Sequence, residues 1–178
     1  MTHRPGILSR LTRLLRPSAS RSQRPAAAVS GAAGDRPGQT GAHATVEIVP
    51  PGRGELQLSY SPSLDGDPDA GEIVWTWVPY DERDGRGKDR PVLVIGRADA
   101  DWVYAVRLTS KSHDGDRDYL AIGSGEWDPQ ARPSWVDVEQ IYRVHAAGMR
   151  REASILDPLR FGRVTAALQD RYGWDAAA

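Results

Sequence analysis

From about Ala70 onward the sequence predicts a mainly β fold: a small, strongly bent barrel of short antiparallel strands with one C-terminal helix. Three observations predict it. Apolar and polar residues alternate over successive short segments, as they do along half-buried strands. Clusters of Gly, Pro and Asp separate those segments at close intervals. One late stretch, "DPLRFGRVTAALQDRYGW", changes to helical spacing.

Taken in order, residues 45–49 ("TVEIV") and 55–60 ("ELQLSY") alternate and flank Pro50, Pro51 and Gly52, which predicts a loose hairpin. Residues 72–80 ("EIVWTWVPY") are β-branched and aromatic and stop at a proline and a charged loop. "PVLVIGR" (91–97) is a near-continuous apolar run and reads as a central strand. Residues 102–110 alternate, with Val103, Ala105 and Arg107 on one face and Trp102, Tyr104, Val106 and Leu108 on the other. Residues 119–123 and 134–144 supply two more strands. Asp157 is placed to N-cap a helix whose first residue is Pro158, with Leu159, Val164, Leu168 and Tyr172 as an apolar stripe and Gly173 as its stop.

The chain divides by composition. Its 178 residues carry a net charge of −1, with 18 Gly and 13 Pro. The first 36 residues hold seven arginines and one acid, so the remainder is acidic at about −7. Residues 1–43 are expected to be a disordered basic extension, 44–69 the hairpin and linker, and 70–176 the barrel domain. Within the extension, Ile7, Leu8, Leu11, Leu14 and Leu15 fall at helical spacing between Arg10, Arg13 and Arg16. That pattern fits a short helix over 6–16 that meets a membrane, nucleic acid or partner, or a transit sequence, or a frayed tail. Cysteine is absent, which excludes disulfides and thiolate chemistry. No apolar run is long enough to cross a bilayer and arginines interrupt any signal-like segment, so a soluble, cytoplasmic protein is expected.

Most chemical motifs fail on spacing. Asp65-Gly-Asp67-Pro-Asp69 and Asp114-Gly-Asp116-Arg-Asp118 lack the glycine and distal glutamate of a calcium loop and read as solvated turns. The four histidines are scattered, there is no P-loop, and Ser124 in "GSGEW" has no local base, so no metal or cofactor is expected. What remains is Arg90. Pro91 biases it to extended geometry at a strand entrance, behind the glycine-bearing loop "GRGKD". The next strand ends in Thr109, Ser110 and Lys111, and in an antiparallel meander Arg90 and Thr109 share one rim. A guanidinium beside a hydroxyl can hold a phosphate. A structural ion pair of Arg90 with Asp89 or Asp84 fits the same residues.

"GEIVWTWVPY", "GKDRPVLVIGR", "WVYAVRLTSK" and "SWVDVEQIYRV", in that order, resemble the MazF/PemK toxins of bacterial toxin–antitoxin pairs over about residues 71–174. The matching positions are Gly71 and Glu72, the loop 81–89, Arg90-Pro91, Thr109, Glu139-Gln140-Ile141 and Arg143. The resemblance implies an SH3-like barrel, a homodimer, a cognate antitoxin partner, and a metal-independent endoribonuclease that cuts single-stranded RNA. It implies that the RNA 2′-hydroxyl attacks the adjacent phosphorus, that Arg90 stabilises the phosphate and can serve as the acid, that Thr109 positions it, and that Gln140 contacts RNA. Lys88, Ser110 and Lys111 are then expected to bind RNA at the same rim. Asp81, Glu82, Asp84 and His113 are all open as the general base. Trp75, Trp77, Trp102 and Tyr104 either stack on bases or pack in the core. The segment 118–135 and the long extension depart from the family outline. A barrel that has lost catalysis and binds nucleic acid or protein is the alternative.

Overall fold

The computed structural model describes residues 36–63, 65–82 and 84–176, with backbone alone for 151–153. The helix expected over 6–16 and most of the basic extension lie outside the described residues. The strands are β1 (Val46–Ile48), β2 (Gln57–Leu58), β3 (Glu72–Pro79), β4 (Gly87–Arg97), β5 (Trp102–Thr109), β6 (Tyr119–Gly123), β7 (Ser134–His145), β8 (Met149–Ile155) and β9 (Asp175–Ala176). One α-helix among the described residues, α1 (Pro158–Tyr172), follows β8. The fold is mainly β with one C-terminal helix, the class the alternation predicts.

Strands β3, β4 and β5 form an antiparallel meander, and β7 adds to β5 to give the order β1-β7-β5-β4-β3-β8, with β6 also on β7. Among the described residues no ladder joins β1 to β8, so the sheet bends without closing as the expected barrel. The two segments expected as a hairpin do not pair with each other: β1 runs antiparallel to β7, while β2 runs parallel to β9. Pro50, Pro51 and Gly52 do turn the chain, but each strand finds a partner remote in sequence. Leu56 and Leu58 are fully buried in the main core.

Both faces of the sheet are buried. On one, Ile73, Leu93, Ile95, Val106, Leu108, Val136 and Ile141 meet Phe161, Val164 and Leu168 of α1. On the other, Val74, Val78, Val92, Val94, Val103, Ala105, Tyr142 and Val144 pack together. Each fully buried Leu, Ile or Phe contributes about 1.5–3 kcal/mol. Helix α1 begins as expected: Asp157 accepts from the Arg160 N–H and Pro158 follows it. It ends at Gly173, whose φ of 70° is left-handed.

A buried hydroxyl pair ties the segment before β1 to β3. Thr76 donates to the Gly148 carbonyl at 2.7 Å, so Thr45 must donate to Thr76, also at 2.7 Å. Thr76→Val removes both bonds and strands a buried carbonyl and a buried hydroxyl. It is expected to cost about 1–3 kcal/mol in urea unfolding, and to raise proteolysis before β1.

Candidate phosphate-binding site

Arg90 lies inside a strand. Strand β4 starts at Gly87, because its first half continues the hairpin with β3: Pro79 pairs with Gly87 and Thr76 with Arg90. Gly87 is needed there, since a Cβ would sit 2.5 Å from the Val78 carbonyl oxygen and 2.6 Å from the Trp77 indole. The ladder from β4 to β5 starts only at Val92, opposite Arg107. Pro91 therefore occupies a stretch with no neighbour on its β5 side, where its missing N–H costs nothing. Continuing the Val92–Arg107 register sets Arg90 opposite Thr109, across a gap between the two strands.

Two cavities open on that gap, and both are lined by Arg90, Thr109 and Lys111. The first, about 460 Å³, adds Tyr80, Asp81, Arg86, Arg107 and His113. The second, about 330 Å³, adds Trp75, Lys88, Ser110, Trp127 and Arg132. Of the anticipated site residues, Arg90, Thr109, Lys88, Ser110 and Lys111 thus meet at one place. Gln140 stands behind it: its Nε2 donates to Asp81 at 3.1 Å and its Oε1 accepts from the Tyr142 hydroxyl at 3.1 Å. Trp75 is the one anticipated aromatic that reaches a cavity. Trp77 lies under Arg36, Trp102 is boxed by His145 and Arg143, and Tyr104 packs on the core.

Arg90 has no structural ion pair among the described residues. Asp89 is taken by Arg150 and Asp84 by Arg86. The Arg86 backbone N–H and guanidinium hold the Asp84 carboxyl below its usual range. The Nε of Arg90 is buried without a hydrogen-bond partner, which is expensive for a cation unless an anion completes it. Thr109 accepts from the Lys111 N–H at 3.2 Å, so its own O–H remains to donate.

The wall of the first cavity is a charge network that the sequence did not reveal. Strand β7 is out of register with β5 between Val106 and Leu108, and the bulge spans 137–140. Asp137, only 2% exposed, accepts from the Glu139 and Gln140 N–H groups at 2.9 and 3.2 Å and from Arg107 Nε at 2.8 Å. Arg107 also donates to the Tyr119 hydroxyl at 3.3 Å and to Asp81 at 3.5 Å. Burial works against its charge, but Tyr142 and Asp137 outweigh that and lift its pKa above the ordinary value. Burial likewise pushes the Tyr142 and Tyr119 phenols up. The local signal was Arg107 sharing a strand face with Val103 and Ala105. Asp128 anchors Arg132 Nε at 2.7 Å at the second cavity, in the segment that departs from the family outline.

Loop carboxylates are locally engaged. Asp65 accepts from the Asp67 N–H and Asp114 from the Ser112 hydroxyl. Among the described residues no three metal-ligating side chains converge, and no helix is long and apolar enough to cross a membrane.

The sheet thus sets an arginine with no partner among the described residues opposite a threonine. Residues 69–171 match the PemK-like, MazF-like toxins of type II toxin–antitoxin systems, and the chain belongs to that family. It is similar to an endoribonuclease solved with its cognate antitoxin from a mycobacterial species (18% identity, 58% of this chain and 93% of that one, TM-score 0.44). MazF of Deinococcus radiodurans is similar at 21% identity, over 60% of this chain and 97% of that one, with a TM-score of 0.44. No curated protein sequence matches the chain.

Proposed function

We propose that the chain is a toxin endoribonuclease that cleaves single-stranded RNA through attack of a 2′-hydroxyl on the adjacent phosphorus. The observation that carries this is Arg90, a cation with no described partner, held between two cavities and opposite Thr109. In this reading the scissile phosphate sits in the gap between β4 and β5. Arg90 neutralises the charge that grows on the phosphorane oxygens, and the Thr109 hydroxyl fixes one of them. Lys88, Ser110 and Lys111 hold the flanking backbone, and Trp75 offers a base a stacking face in the second cavity. The acidic balance of the body is no obstacle, because Lys88, Arg86, Arg90, Lys111 and Arg132 converge on the cavities while Asp84, Asp89 and Asp128 are paired to arginines.

The family membership supports a cognate antitoxin as the neutralising partner, a homodimer as the working assembly and the cytoplasm as the site of action. The domain that carries the reaction spans about 70–176, behind the basic extension 1–43. Purified protein is expected to cut a random-sequence pool of single-stranded RNA in the presence of EDTA, leaving 2′,3′-cyclic phosphate and 5′-hydroxyl ends. A folded preparation that leaves the pool intact overturns the reading and favours a binding module.

A further inference from the structure

Cleavage through a 2′-hydroxyl needs a group that removes its proton, and four side chains in or near the first cavity are candidates of unequal standing. Asp84 lies outside the cavity lining and is bound by Arg86. Asp81 faces the cavity, but its Oδ1 is already occupied, accepting from both Gln140 and Arg107. Glu82 lines the cavity as an exposed loop side chain, with no described bond to fix it.

His113 differs. It sits in the loop between β5 and β6, four residues beyond Thr109, and its side chain is 20% exposed. Its ring stacks on Tyr119 with centroids 3.5 Å apart and planes 14° from parallel. Tyr119 is itself fixed by Arg107, which Asp137 anchors. The Nδ1 of His113 lies 3.4 Å from Asp116 Oδ2, so with Nδ1–H donating to that carboxylate the other nitrogen, Nε2, is left as an acceptor. Among the described residues nothing bonds to Nε2, and the ring lines the cavity that holds Arg90 and Thr109.

From this arrangement we infer that His113 is the general base of the cleavage reaction and Asp116 its positioning residue. The inference rests on the endoribonuclease reading of the site. Nε2 takes the proton from O2′ as the O2′–P bond forms. The P–O5′ bond then breaks, and the leaving O5′ takes a proton from water in the open cavity. His113 later returns its proton to solvent, so the step balances without an oxidant, reductant or metal. The charged and titratable groups around the ring are Asp116, Asp114 and Lys111 on its own loop, Arg107 from β5, Arg90 from β4, Tyr119 from β6, and Tyr80, Asp81, Glu82 and Arg86 from the β3–β4 loop.

The test is the pH dependence of kcat/KM on the best-cut oligonucleotide of the RNA pool, for wild type, His113→Gln, His113→Ala and Asp116→Asn. Wild type is expected to show a rate that rises with pH as its general base loses its proton. His113→Gln keeps a stackable amide and is expected to lose about 10²- to 10³-fold in kcat, with that rising limb gone and KM little changed. Added imidazole is expected to restore part of the His113→Ala rate, which separates a missing base from a damaged fold. Asp116→Asn is expected to keep the rising limb and to lower kcat less than His113→Gln does, as a positioning residue should. A wild type that cuts beside a His113→Gln variant with the same limb overturns this inference alone. A wild type that cuts no RNA overturns the reading of the site and this inference with it.

Discussion

Arg90→Ala is expected to lower RNA cleavage by about 10³-fold or more, the scale on which one arginine at a phosphoryl centre acts. The fold should not suffer, because the guanidinium makes no described hydrogen bond or ion pair that the alanine would break. Thermal unfolding of the variant should match wild type within a few degrees. Arg90→Lys adds resolution: it keeps the charge but loses the planar pair of donors, and it should recover only a minor part of the rate. A noncleavable RNA with 2′-methoxy groups should still bind both variants through Lys88, Lys111 and Arg132, more weakly and with a shallower salt dependence. If Arg90→Ala cuts RNA as fast as wild type, the reaction does not occur in the gap between β4 and β5.

Asp137→Ala is the largest expected stability effect, about 3–5 kcal/mol by urea unfolding, because it leaves a largely buried arginine with only the exposed Asp81, 3.5 Å away, to offset its charge. Here the loss is compounded: Arg107 keeps its charge while only 14% exposed, and the N–H groups of Glu139 and Gln140 lose their acceptor. Against a whole-domain stability of about 5–15 kcal/mol, such a loss brings the protein near unfolding at working temperatures. Asp137→Ala with Arg107→Met should be more stable than Asp137→Ala alone, since the orphaned charge is gone. A single variant that unfolds like wild type would show that solvent reaches Arg107 freely.

What could be read in advance divides along sequence distance. Strands β3, β5, β6 and β7 and helix α1 were legible because alternation, Pro79, Asp157 and Gly173 are local signals. The Arg90–Thr109 juxtaposition was legible too, since a short turn at Asp99-Ala100-Asp101 fixes which ends of β4 and β5 meet. Strand β8 was not, because "MRREASI" carries few apolar residues, as befits a strand at the sheet's end. The start of β4 was hidden by its polar Lys88-Asp89 pair, which reads as loop although β3 holds it in register. The partner of Arg107 lies thirty residues away across a bulge, and no local pattern states where a bulge falls. His113 was visible only as one of several bases, because what sets it apart is a ring stacked on Tyr119 and a carboxylate placed by the β5–β6 loop.

The partners of β1 and β2 carry a consequence for anyone who cuts the gene. Sequence kinship starts at residue 69, yet β1 covers part of the β7 edge, Leu56 and Leu58 fill the core, and the Pro51 carbonyl accepts the indole N–H of buried Trp174. An expression boundary set by kinship would amputate a wall of the molecule and leave an open strand edge, a ready template for aggregation. The smallest portable unit therefore begins upstream of Thr45, and the family outline marks where the chemistry is shared rather than where the folded object starts.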